Sequence, residues 1–286
     1  MEDIIEIKQR NITIEKKDIL KILNYKKEDI IFLSGSLIEG MNNKLSKGMG
    51  NKLSDIDVFI LSGNINEINK SLLDYDRAHI KTQFKRLYGV SIDIEIYSKP
   101  VVLDLMNQLN IYNFSDNIRT FNILKMPKGF DLFKFTSFIH RFLNGIPIWN
   151  EDGFNEVKTG FNQKNYFKLM TRISINNVDI NYEDVIGNIE NKQFEVAVNV
   201  ARSILLETMK AYIFYMKTSL DRDKWIPIKL KNLAEHDEEA CKVYRKFKNL
   251  YFEEKLDNEK SLRINAEKII DFSNEIINKI GQDGEM

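Results

Sequence analysis

The chain has 286 residues, 42 Lys plus Arg against 42 Asp plus Glu, and 43% apolar residues. That length and apolar content describe a globular protein of two domains and exclude a disordered chain. The zero net charge argues against a protein whose main task is to coat nucleic acid, and the single cysteine, Cys241, excludes an intrachain disulfide framework.

In chain order, Glu15 to Asn24 has helical spacing, with Ile19, Leu20, Ile22 and Leu23 as its apolar stripe. Asp29 to Ser34 is a short apolar strand that ends at Gly35-Ser36, where a helix is expected to begin. Met41 to Lys52 is polar, holds Gly48 and Gly50, and reads as a mobile loop. Asp55 to Leu61 is a second strand, Asn66 to Leu87 a long helix, and Val90 to Tyr97 a strictly alternating third strand. Helices are expected from Pro100 to Leu109 and from Phe130 to Leu143, followed by an extended crossing between domains at Gly145–Trp149. Beyond Lys164 the strand signals fade, and Phe194–Met216, Ala234–Tyr251 and Ala266–Ile280 are helical. The expected architecture is α+β: a small mixed sheet with flanking helices over residues 1–149, then an α-helical domain over 150–286. His79, His140 and His236 are scattered and form no zinc motif. The first ten residues lack the apolar core of a signal peptide, and no apolar run reaches the roughly 20 residues of a membrane span. A cytoplasmic protein with no membrane partner is expected.

The chemistry is concentrated in the first half. Residues two apart in a strand share a face, so Asp55 and Asp57 lie side by side while Ile56, Val58 and Ile60 fill the other face. Two acids so placed repel each other, and a divalent cation removes that cost. All-oxygen ligands suit Mg²⁺, with Mn²⁺ as the alternative ion. On the third strand, Asp93 and Glu95 share the face opposite Ile92, Ile94 and Ile96. With the two strands adjacent, Asp93 completes a three-carboxylate site for two metal ions serving an in-line phosphoryl displacement. Glu95 reads equally as a general base or as a solvated acid. Gly35 lets the backbone approach a phosphate closely, and Ser36 adds a hydroxyl at a helix N-terminus whose free N–H groups attract anions.

The ordered set Gly35-Ser36, Gly40, Ser54-Asp-Ile-Asp57 and the acidic strand Ile92–Ile96 resembles the signature of the DNA polymerase β-like nucleotidyltransferases. The resemblance covers about a third of the chain. It implies that Gly35 and Ser36 bind a triphosphate, that Asp55 and Asp57 ligate metal, and that Asp93 is the third carboxylate. The basic residue that often follows the second glycine is missing: Met41 follows Gly40, leaving Lys44, Lys47 and Lys52 as substitutes.

The helical half weakly resembles that of antibiotic nucleotidyltransferases such as the kanamycin enzyme, in which it shapes the acceptor site and can cross a dimer. The resemblance implies an NTP and a hydroxyl acceptor as partners, and admits a homodimer. A small-molecule acceptor is preferred; an RNA 3′ end or a protein side chain (AMPylation) is the alternative. A non-catalytic nucleotide-binding or toxin–antitoxin module is the reading from another class. Lys224, beside Trp225, is a candidate for the triphosphate or a plain surface lysine. The Phe194–Met216 helix, with Glu207 near its apolar face, is expected to line the acceptor side, with Glu95 or Glu207 taking the hydroxyl proton.

Overall fold

The computed structural model describes residues 4–114 and 123–283. Its strands there are β1 (Ile4–Ile7), β2 (Ile12–Glu15), β3 (Ile30–Ser34), β4 (Ile56–Ser62), β5 (Tyr75–Asp76), β6 (Ile80–Leu87), β7 (Val90–Ser98) and β8 (Ile146–Trp149). The helices are α1 (Lys16–Lys21), α2 (Gly35–Asn42), α3 (Lys99–Ile111), α4 (Leu132–Leu143), α5 (Glu151–Thr159), α6 (Gln163–Glu190), α7 (Phe194–Tyr215), α8 (Ile226–Ala234), α9 (Glu238–Lys248) and α10 (Glu259–Gln282). The chain divides into two units, Met1–Tyr112 with Phe121–Asn162, and Asn113–Thr120 with Gln163–Met286. The fold is α+β, a mixed sheet with flanking helices accompanied by a helical unit. Among the described residues no helix is long and apolar enough to cross a membrane.

In the first unit, six strands form one sheet in the order β5-β6-β7-β4-β3-β8. β4 and β7 run parallel, and the other neighbours are antiparallel. β3 is buried at every position, as befits an inner strand covered on both faces. One face carries Ile31, Leu33, Val58, Ile60, Ile92, Ile94 and Ile96, and packs against Ile5, Ile7 and Ile14 of the β1–β2 hairpin, Ile19 of α1 and Leu37 of α2. The other face is aromatic at one end. There Phe32 and Tyr97 meet Phe138 of α4, Phe59 lies against both Phe32 and Tyr97, and Phe32 also meets Phe142 of α4 and Phe154 of α5. Pro147 sits on β8, an edge strand, where a missing N–H is tolerated.

The helical unit is built around α7, which packs against α6 and α10. Ala197, Ala201, Ile204, Leu205, Met209 and Tyr212 are all buried along it. The acidic run before α9 caps that helix: the Asp237 side chain accepts from the Ala240 N–H, and Glu238 and Glu239 occupy the first turn.

Four expectations are corrected. The long helix over Asn66–Leu87 does not form; single 3-10 turns at Ile65–Glu67 and Lys70–Leu72 precede β5 and β6. Asn64 and Asn69 accept hydrogen bonds from the N–H groups of Asn66 and Ser71, local bonds that compete with helix. β6 then turns into β7 through Tyr88-Gly89, both at positive φ, the geometry of a tight hairpin. Upstream, α1 is shorter than expected and follows the β1–β2 hairpin, an element the helical spacing did not reveal. The Met41–Lys52 stretch is not a loose loop: Met49 and Ser46 are buried, and Gly40 is so close to it that a Cβ there would lie 2.3 Å from the Met49 carbonyl oxygen. Finally, Gly145–Trp149 is no crossing between domains, because Ile146–Trp149 is β8 and pairs with β3. The first unit therefore continues past residue 149 to Asn162, since α5 buries Phe154 against Phe32 of the same sheet.

Candidate active site

Strand register assembles the acids. Asp57 lies opposite Ser34 of β3 on one side and Asp93 of β7 on the other, and Phe84 of β6 lies opposite Asp93. Adjacent strands are about 4.8 Å apart, so Asp57 and Asp93 are neighbours on one face. The next row is Phe32, Phe59, Glu95 and Thr82. The acids thus continue the same face whose other end is covered by the aromatic cluster. Asp55 stands one residue ahead of β4 and is exposed; it borders, with Asp93, a surface depression of about 510 Å³ that is also lined by Phe84, Lys85, Arg86 and Ser91.

The electrostatics follow from this crowding. Burial pushes the Asp57 carboxyl up to about 7, and Glu95, Asp93 and Asp55 push the same way while Arg141 opposes them. Burial, then Asp55 and Glu95, also raise Asp93. Glu95 is half-buried and accepts a hydrogen bond from the Tyr97 hydroxyl at 2.5 Å, so it is tied to the aromatic end of the face. Among the described residues, no three His, Cys, Asp or Glu side chains are gathered closely enough to hold a metal ion unaided. The donor chemistry nonetheless fits a hard divalent cation. Asp55, Asp57 and Asp93 offer only oxygen, and an incomplete cage suits an ion that keeps water and phosphate oxygens as further ligands.

Gly35 is pressed against this site. It has φ +84°, and a Cβ built on it would fall 1.7 Å from Asp57 Oδ2. The glycine is therefore required by the acid as well as by the left-handed backbone. Ser36 is half-buried in the first turn of α2.

Sequence reasoning missed the cation of the site. Arg141 of α4 places Nη1 3.9 Å from Asp57 Oδ1, with its guanidinium 5.4 Å from the Phe59 ring centre. The C-terminal end of α4 is tied to α2 and to the residues that flank it. Ser34 Oγ donates to the Arg141 carbonyl at 2.7 Å. His140 Nε2 lies 3.1 Å from Glu39 Oε2, both groups buried, and Ser46 Oγ donates to Glu39 Oε1. Asn43 Nδ2 donates to Asn144 Oδ1 at 3.0 Å, and Asn144 Nδ2 to the His140 carbonyl. The available signal was a His-Arg pair on a strongly amphipathic helix; nothing local marks Glu39, whose burial is created by α4.

Lys224 belongs to the helical unit, exposed on a 3-10 turn with its ammonium 4.9 Å from the Trp225 ring centre. In the same unit Glu207 is engaged by Lys210 and by Asn177, whose Nδ2 donates to it at 3.1 Å.

No protein-family model and no curated protein matches the chain. Among solved structures, it is similar to a nucleotidyltransferase-like protein from Exiguobacterium sibiricum, with 10% identity, a TM-score of 0.44, and coverage of 91% of this chain and 75% of that one.

Proposed function

We propose that the protein is a divalent-cation-dependent nucleotidyltransferase that moves a nucleoside monophosphate from an NTP to a hydroxyl and releases pyrophosphate. The observation that carries this reading is the row Ser34–Asp57–Asp93 across three neighbouring strands, with Gly35 backed directly onto Asp57. It sets a glycine-led helix N-terminus against paired carboxylates, one to receive polyphosphate and the other to hold cations. Asp55, Asp57 and Asp93 would hold Mg²⁺ or Mn²⁺, which supplies charge neutralisation at the reacting phosphate. Glu95, fixed by Tyr97, is the carboxylate on the same face available to take the acceptor proton. The neutral overall charge favours a small-molecule acceptor over a polynucleotide.

Incubation with each labelled NTP, Mg²⁺ and a metabolite extract tests the reading through pyrophosphate release and label transfer. Transfer that disappears in Asp57→Asn is expected. Label transfer by the Asp55→Asn/Asp57→Asn double variant at the wild-type rate would reject the mechanism.

A further inference from the structure

We infer that Arg141 is a polyphosphate-binding residue of this site; the inference rests on the proposed nucleotidyl transfer. The Asp57 carboxylate lies between two neighbours, with Oδ2 against the Gly35 backbone and Oδ1 3.9 Å from Arg141 Nη1. The Asp57 carboxylate therefore stands between the guanidinium and the N-terminus of α2, where the first N–H groups of a helix face an anion. At 3.9 Å its pairing with Asp57 is Coulombic and not a hydrogen bond. With the Asp57 charge shared with a bound cation, the guanidinium would stand on the side of the acid from which phosphates at the α2 N-terminus can be reached.

Placement is rigid in the sense that matters here. Ser34 at the end of β3, Glu39 of α2 and Asn43 just after it are tied to Arg141 and His140 of α4 and to Asn144 just after that helix. The helix that presents its N-terminus and the helix that presents the arginine are thus joined directly by Glu39 and His140 and held at either end by the residues that flank them. The guanidinium carbon lies over the Phe59 ring, 5.4 Å from its centre. Arginine suits this position because its planar fork matches phosphate oxygens in pairs, which a lysine cannot do. A plainer role exists for the same residue: it lies in the last turn of α4 and balances Asp57. The two roles separate by ligand.

Calorimetric titration of the intact protein with Mg²⁺ decides between them. Wild type is first titrated with each of the four NTPs, then with inorganic tripolyphosphate and with the matching nucleoside monophosphate. For Arg141→Gln, tripolyphosphate affinity is expected to fall about tenfold or more, the scale of a lost charge-assisted contact, while monophosphate affinity stays within about threefold. Arg141→Lys should fall between the two. Tripolyphosphate affinity within about threefold of wild type, or an equal loss for both ligands, would overturn the inference, because a structural counter-ion has no reason to discriminate by phosphate number. If Arg141→Gln does not fold, the same comparison on Arg141→Lys decides. Wild type that binds none of the four NTPs would instead reject the proposed function itself.

Discussion

Substituting Gly35 by alanine probes the local geometry on which the site depends. Two costs are separable. The backbone is at φ +84°, where an L side chain adds about 1–2 kcal/mol. The new methyl would also fall 1.7 Å from Asp57 Oδ2, so the carboxylate must leave its place against α2. Together these should destabilise the protein by roughly 3 kcal/mol. For a unit of this size that lowers the melting temperature by roughly 6–12 °C. The clash term is isolated by pairing the substitution with Asp57→Ala, which removes the atoms the methyl meets. The double variant should be more stable than the sum of the single effects by about 1–2 kcal/mol, while the backbone cost remains. Gly63→Ala is the internal control, since its Cβ meets nothing within 4 Å, and it should stay within about 0.5 kcal/mol of wild type. The assay is thermal and urea unfolding of wild type and the four variants, with and without Mg²⁺ and NTP. Gly35→Ala should also lose the nucleotide-induced rise in melting temperature. Melting like Gly63→Ala, or strict additivity with Asp57→Ala, would show that Gly35 is not held against the acid.

The Asp57 carboxyl, raised from 3.8 to about 7 chiefly by burial, favours its protonated form in the folded state. Its contribution to metal-free stability is therefore fully present below about pH 4 and is lost as pH rises through about 7. The full shift corresponds to ~4 kcal/mol, and water at the exposed 25% of the side chain brings this to about 2. Urea unfolding of metal-free Asp57→Asn should accordingly gain on wild type at pH 8 and not at pH 4; parallel pH curves would contradict this. Asp93→Asn should lower nucleotidyl transfer about a hundredfold or more without loss of fold, read by label transfer and circular dichroism; near-normal turnover would remove Asp93 from the site. His140→Ala leaves the Glu39 carboxylate buried and should cost about 3 kcal/mol, with part of that recovered in Glu39→Ala/His140→Ala. A double variant that merely sums the single losses would mean the pair is not coupled.

Much of this was readable along the chain, for a physical reason. The alternation of Val90–Tyr97 and the acid spacing of Asp55 and Asp57 are period-two patterns, and a strand's two faces are decided by that period alone. Gly35-Ser36 after an apolar run likewise marks a strand-to-helix turn that any tertiary context must respect. The Asn66–Leu87 segment shows the opposite case. Its polar stretches satisfy helix and strand almost equally, and pairing with β7, together with the side-chain bonds of Asn64 and Asn69, determined the outcome.

What belongs to the tertiary structure alone is which side chains meet across elements. Asp57 and Asp93 are 36 positions apart in the chain and become neighbours only because β4 and β7 pair in parallel at that register. Arg141 reaches Asp57, and His140 reaches Glu39, because α4 packs across the same sheet face and against α2. A sequence specifies each element's own faces through local sterics and periodicity. Register, and the partner that covers a buried charge, are set by long-range packing that no local window contains.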